Sequence, residues 1–243
     1  ILACYANIGA YVMARVLVLA VPEVFRPLST PLMLWALATM VYGALLALAQ
    51  SDIKRLCACS TISQVAYSLL GVASGTPLGV AGGVFYMLAH CLGKTVLFST
   101  AGTVVYATGE RDIRSMGGLA RRMPLTALSW ALGAMALSAI PPLCGFTAEI
   151  IMFSGIFSAA APGGGPDALL LTVAISGVLA TALTMAYTFW PLKLIFFGPP
   201  RGGNIPRREP MSMVLPPALL IIASCILGIW PSLVLEMFAR YIG

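Results

Sequence analysis

The sequence predicts an all-α fold: a polytopic transmembrane helix bundle of about seven spans, one of them broken at Pro141–Gly145. Three observations predict it. Hydrophobic residues make up 60% of the 243 and charged residues only 9%, against about 25% charged in soluble domains, too few to cover a water-facing surface. Mean hydropathy is +0.96. It is concentrated in runs of about 20 residues, the length of a membrane-crossing helix, rather than in the alternating segments of about ten that a β-barrel needs. Basic residues, finally, gather in every second gap between those runs.

Apolar windows bounded by proline, glycine and charge fall at 1–21, 31–50, 55–74, 78–106, 124–160, 168–197 and 212–235, all in a single transmembrane domain, 1–243. The first starts inside an apolar run without an initiator Met, which reads as a fragment of a longer polypeptide. It lacks the basic n-region and small-residue cleavage site of a signal peptide. The third opens with Gln50-Ser51-Asp52-Ile53-Lys54-Arg55 and continues through the polar run Ser60-Thr61-Ile62-Ser63-Gln64 to Tyr67. Gly75, Gly79 and Gly83 lead into and along the fourth at a spacing that lets helix backbones approach closely. The fifth is interrupted by Pro141-Pro142-Leu143-Cys144-Gly145, because two prolines remove two backbone donors and clash with the carbonyls one turn back. A Gly/Pro link, Ala161 to Pro166, joins the fifth to the sixth, whose length calls for tilt or a kink near Trp190-Pro191.

Charge placement tests this count. Lys54, Arg55, Arg111, Arg114, Arg121, Arg122, Arg201, Arg207 and Arg208 fall in three alternate loops, nine cations on one side. The other side holds only Arg26 and Arg240, with Arg15 inside the first span. That asymmetry makes the basic side cytoplasmic and the host the cell membrane. It accounts for the net charge of +6 without nucleic acid. Lys193, near the end of the sixth span, is expected to snorkel to the same interface. The six cysteines (Cys4, Cys57, Cys59, Cys91, Cys144 and Cys225) match no zinc or iron–sulfur spacing, and Cys57-Ala-Cys59 is too short for a redox motif. They read as small packing residues; no cofactor or metal is expected.

The chemistry lies where ionisable groups interrupt hydrocarbon. His90 and Lys94 sit near the middle of the fourth span, where a charge costs about 2.5–3.5 kcal/mol on insertion scales. Tyr86, His90 and Lys94 are spaced i, i+4, i+8 along one helix face and form a candidate proton relay. A lone buried histidine would more simply be a satisfied hydrogen-bond partner; Lys94 one turn away shifts the reading to function. In lipid, non-helical backbone such as the Pro141–Gly145 break is tolerated only when buried in protein or lining a watery cavity, and transporters use such breaks at ion sites. Glu149 follows by four residues, in the expected first turn of the second half-helix, where the helix dipole and burial pull its protonation in opposite directions. Asp52 either pairs with a cation at the mouth of a pathway or caps the third helix.

These residues resemble a known family. The stretch from Ser51 through Asp-Ile-Lys-Arg-Leu-Cys-Ala-Cys-Ser-Thr-Ile-Ser-Gln-Val-Ala to Tyr67 is similar to a segment typical of antiporter-like subunits of respiratory complex I, Mrp-type cation/proton antiporters and membrane-bound hydrogenases. Phe85 to Phe98, with His90 and Lys94, resembles the family's His/Lys helix. Met116-Gly-Gly-Leu119, Met123-Pro124 and Ala139 to Phe146 with Glu149 continue the match in order. The resemblance implies two inverted five-helix repeats, each with one broken helix, and a polar axis along the membrane midplane. Residues 31–198 correspond to the second repeat, flanked by one helix on each side, with the first repeat absent.

The resemblance also assigns roles: His90 and Lys94 the central relay, Glu149 the terminal ionisable group, Asp52 and Lys54 the polar cytoplasmic pair. Tyr86 stands where many relatives have His, Asn7 where many have Lys, and Glu149 where some have Lys. The function so implied is a proton-translocating subunit of a complex I-like or hydrogenase-type redox-driven pump, holding no redox cofactor of its own. Its partners would be other membrane subunits, H⁺ or Na⁺, and the lipid bilayer. A Na⁺/H⁺ antiporter subunit and a non-conducting structural remnant are the alternatives.

Overall fold

A computed structural model of the chain describes residues 5–161, 166–201 and 208–242, with side chains to 237. The centre of the Gly/Pro link, Arg207 and the Arg240 side chain lie outside the described residues. The described residues form helices and no strands: α1 (Ile8–Ala20), α2 (Pro22–Leu48), α3 (Ile53–Ala73), α4 (Pro77–Thr108), α5 (Pro124–Leu137), α6 (Cys144–Ala160), α7 (Ala168–Phe196), α8 (Met211–Ile229) and the amphipathic α9 (Ser232–Ile242). Five of them (α2, α3, α4, α7 and α8) are long and apolar enough to cross a membrane; α1, α5 and α6 are shorter apolar helices. The polytopic helical bundle is the fold the composition implies.

Helix ends follow local chemistry. Asp52 caps α3, its Oδ1 accepting from the Lys54 and Arg55 backbone N–H groups at 2.8 and 3.0 Å. Thr76 caps α4 just before Pro77, and Gly109 closes that helix at φ 73°. Asp167 caps α7. The Glu209 carboxylate, from the loop before α8, accepts from the Leu125 and Thr126 N–H groups and the Thr126 hydroxyl at the first turn of α5. The start of α2 departs from expectation: helix begins at Pro22, nine residues before the expected 31, and runs through Pro27 and Pro31. Hydrophobic periodicity is weak there, but an irregular segment would leave more backbone unpaired in lipid than two proline-interrupted turns do. Likewise α7 continues through Pro191 to Phe196.

The axis of the bundle is α4, most of whose apolar length is buried, whereas α8 is largely peripheral. It pairs antiparallel with α3 and packs on α5, α6 and α8, while α2 covers α3 and α7. Glycines bring these backbones into contact. A Cβ on Gly82 would lie 2.3 Å from the Met152 nitrogen, and one on Gly155 would lie 2.0 Å from the Gly79 nitrogen. On the α3 side, a Cβ on Gly83 would lie 2.8 Å from the Ser68 carbonyl oxygen. The expected glycine stripe is thus corrected at one position: Gly75, at φ 65°, makes the α3–α4 turn, and Gly82 joins Gly79 and Gly83 on the helix.

The fifth span breaks as expected, α5 ending at Leu137 and α6 starting at Cys144. Ala139 takes a left-handed φ of 50°. The break is braced by its neighbours: Ser138 Oγ lies 3.0 Å from Thr188 Oγ1 on α7, the Thr147 hydroxyl donates to the Gly228 carbonyl on α8 at 2.8 Å, and the Cys144 N–H donates to Ser224 Oγ. Pro141 and Pro142 are exposed, whereas Gly145 is buried with its Cα against the Ala136 carbonyl, where a Cβ would lie 1.8 Å from the oxygen.

Gly82→Ala must push α4 and α6 apart and should lower stability by about 1–3 kcal/mol, read as a drop in thermal midpoint in detergent. Gly102→Ala, in the same helix with nothing within 4 Å of the added Cβ, should leave the midpoint unchanged or raise it.

Candidate functional site

Lys94, on α4, is fully buried. Its Nζ donates to the Ser60 hydroxyl and, at 3.3 Å, to the Cys57 carbonyl, both on α3. The Ser60 and Thr61 hydroxyls also donate to that carbonyl, at 3.0 and 3.2 Å. No carboxylate of the described residues lies within ion-pair reach of Lys94. Its proton is therefore held by neutral oxygens alone.

Two turns earlier on α4 the Tyr86 hydroxyl, also buried, lies 2.9 Å from Gln64 Oε1 on α3 and 3.4 Å from Glu149 Oε1 on α6. A phenol has one proton to donate. Tyr86 therefore serves either the amide or the carboxylate, not both at full strength. Glu149 is 6% exposed, and its second oxygen accepts from the Thr181 hydroxyl on α7 at 3.1 Å. Gln64 Nε2 donates to Tyr187 Oη at 2.7 Å and reaches Thr184 Oγ1 at 3.4 Å. Tyr67, stacked on Tyr86 at 5.3 Å between ring centroids, closes the ring by contacting Thr181 and Thr184. Every partner of Glu149 is a hydroxyl, which can donate to a carboxylate or turn to accept from a carboxylic acid. The cluster therefore accommodates both protonation states without a fixed counter-charge.

His90 is fully buried and faces α1. Its Nδ1 lies 3.0 Å from Asn7 Nδ2 and 3.2 Å from Asn7 Oδ1. An amide can donate to a bare Nδ1 or accept from Nδ1–H, so Asn7 complements either tautomer. Nε2 is buried without a hydrogen-bond partner among the described residues.

The structure thus brings Tyr86 and Glu149 together and seats Lys94 one turn of α3 away, on Ser60. It does not join His90 to either by a hydrogen bond. Three different helices meet this face of α4: α6 at Tyr86, α1 at His90 and α3 at Lys94. Glu149 sits in the second turn of α6, not the expected first, because that helix starts at Cys144. The helix dipole fades within the first turn, so Thr181 and Tyr86 rather than the helix end define its surroundings. Asp52 both caps α3 and pairs with a cation: its Oδ2 lies 3.1 Å from Arg111 Nε. Backbone bonds from Ile53 to Arg111 and from Ile113 to Ser51 fasten the same junction. Lys54 is exposed beside it; neither reaches the buried cluster. Thr181, Thr184 and Tyr187 complete the cluster without standing out in the sequence. Their spacing along one side of an apolar helix was the available signal.

The sequence matches the family described as NADH:quinone oxidoreductase/Mrp antiporter, TM, over residues 1–181. F(420)H(2) dehydrogenase subunit N of Methanosarcina mazei is 33% identical over 217 residues, 84% of this chain and 41% of the relative. The chain thus spans about two fifths of that relative's length. The fold is similar to a chain of the Mrp complex from a Dietzia species, with TM-score 0.85 over 96% of this chain and 51% of the other; at 24% identity this is a likeness of fold alone. It is also similar to a chain of respiratory complex I from Thermus thermophilus, with TM-score 0.81 and 27% identity over 97% of this chain and 50% of the other.

Two substitutions test the division of the Tyr86 proton. Gln64→Leu leaves Glu149 as its remaining acceptor and should lower the carbonyl stretch of the protonated Glu149 in infrared difference spectra. Tyr86→Phe should raise it. The band is identified by its loss in Glu149→Gln, and shifts of the same sign in both variants would show that no such division exists.

Proposed function

The chain belongs to the NADH:quinone oxidoreductase/Mrp antiporter transmembrane family, and from that membership and the buried cluster we propose that it is a proton-translocating, antiporter-like subunit of a redox-driven pump. The pump is of the complex I or hydrogenase type. One observation carries this reading: Lys94 and Glu149 are both buried, and both attach, directly or through Tyr86, to residues one turn apart on α3. A charge at that depth is costly and contributes nothing to helix packing.

In this reading Lys94 holds a proton against Ser60 and the Cys57 carbonyl and releases it toward the Gln64–Tyr86 pair. Tyr86 turns its hydroxyl between Gln64 and Glu149 as the carboxylate gains or loses its proton. Thr181 keeps the carboxyl oriented in both states, and His90, held by Asn7, extends the path toward α1. Residues 31–198 act as one five-helix repeat. Asp52, Arg111 and Lys54 fasten the basic side, which faces the cytoplasm of the cell membrane, and other membrane subunits supply the redox chemistry.

In vesicles reconstituted with the whole assembly, Lys94→Met and Glu149→Gln should each reduce proton uptake about tenfold or more, the scale on which a positioned proton carrier acts. Abundance of the assembled complex should not change, and Glu149→Asp should restore part of the flux. Undiminished pumping in both variants would remove the relay. Flux that depends on a Na⁺ gradient would assign the antiporter type instead.

A further inference from the structure

The basic side of the bundle carries a feature the relay does not use. Where α2 ends against the last turns of α7, a cavity of about 480 Å³ opens sideways between the helices. Its lining is apolar: Leu48, Met185, Phe189, Trp190, Leu192 and Phe197, with Lys193 the one cation. A second cavity, of about 510 Å³, shares Leu48 and Trp190 with the first and is lined by Gln50, Arg114 and Arg201. The two form one groove, charged at the loop end and apolar along about three turns of α7.

Its charge is uncompensated. Arg114, Lys193 and Arg201 are exposed and make no side-chain ion pair with a described residue. The acidic groups nearby are engaged elsewhere: Asp52 with Arg111, Asp112 with the Arg114 backbone N–H, and Glu110 with the Arg111 and Asp112 N–H groups. Trp190 is 52% exposed at the junction of the two halves, and tryptophan is enriched where helices meet the headgroup layer. Lys193 stands in the last turn of α7, where the helix dipole adds negative potential and holds the cation in place.

We propose that this groove binds an anionic phospholipid, its phosphate between Arg114 and Arg201 and an acyl chain laid along Leu48, Phe189 and Trp190. Basic recesses between helices at the cytoplasmic face suit such headgroups, each cation contributing about a fivefold preference. An acidic protein segment would satisfy the arginines but would leave backbone donors and acceptors against the apolar floor. An acyl chain leaves none.

The test uses the assembled complex in nanodiscs, with fluorescence quenching by brominated phosphatidylglycerol or brominated phosphatidylcholine at equal mole fraction. The Trp190 contribution is the difference from Trp190→Phe. Phosphatidylglycerol should show a preference of about tenfold or more at Trp190. Arg114→Gln/Arg201→Gln should reduce that preference at least fivefold while quenching by phosphatidylcholine persists, which shows the variant is folded. Equal quenching by the two lipids in the unmodified complex would overturn the proposal. So would absence of quenching by either, which would place protein rather than lipid over the groove. Proton uptake is not read in this experiment, so its outcome stands apart from the relay.

Discussion

Hydrocarbon offers no hydrogen bonds, and this constraint organises the structure. A polar group placed inside the bundle is costly unless a neighbour answers it at hydrogen-bonding distance. Lys94 meets the condition because α3 lies close enough to present a hydroxyl and a carbonyl to its amine. That closeness is set by Gly71, Gly79 and Gly83, where a side chain would collide with backbone of the opposite helix. The broken span obeys the same rule: Ser224 accepts from the Cys144 N–H that the break frees, while Thr188 and the Gly228 carbonyl answer the Ser138 and Thr147 hydroxyls beside it. The glycine contacts thus set the separation at which the polar cluster finds its partners.

The polar groups also differ by depth in the kind of partner they meet. At the basic surface, Asp52 meets Arg111 in an ion pair reinforced by capping and backbone bonds, an arrangement with one stable state. In the interior, the partners of Lys94 are a hydroxyl and a carbonyl and those of Glu149 are two hydroxyls. A guanidinium opposite Glu149 would fix the carboxylate in its charged form, and a carboxylate opposite Lys94 would fix the ammonium. Neutral partners impose neither, and a hydroxyl can donate to a carboxylate or accept from a carboxylic acid.

What the sequence made legible divides along the same line. Hydropathy is local, so span positions were readable, as were the ionisable residues that interrupt them: His90, Lys94 and Glu149. The proline pair announced the break. The start of α2 was not readable, because Pro27 and Pro31 look like helix breakers until lipid is counted as the solvent. Nor was the depth of Glu149, which depends on where α6 begins. Thr181, Thr184 and Tyr187 are unremarkable alone and gain meaning only when α7 lies against Glu149 and Gln64, more than thirty positions away in sequence. Tyr86, His90 and Lys94 do share a face, but which helix each meets is a tertiary fact that spacing does not contain.

The antiparallel register of α3 and α4 carries the last step. Gln64 stands opposite Tyr86, and Ser60, one turn earlier, stands opposite Lys94. Both ionisable groups are thereby referred to one short rigid segment rather than to each other. Both contacts are made by the same two turns of α3. Because Tyr86 has one proton and two acceptors, lengthening its bond to Gln64 strengthens its bond to Glu149 without any further motion. In the proposed relay, Lys94 and Glu149 are therefore linked through α3 and Tyr86 rather than by direct contact.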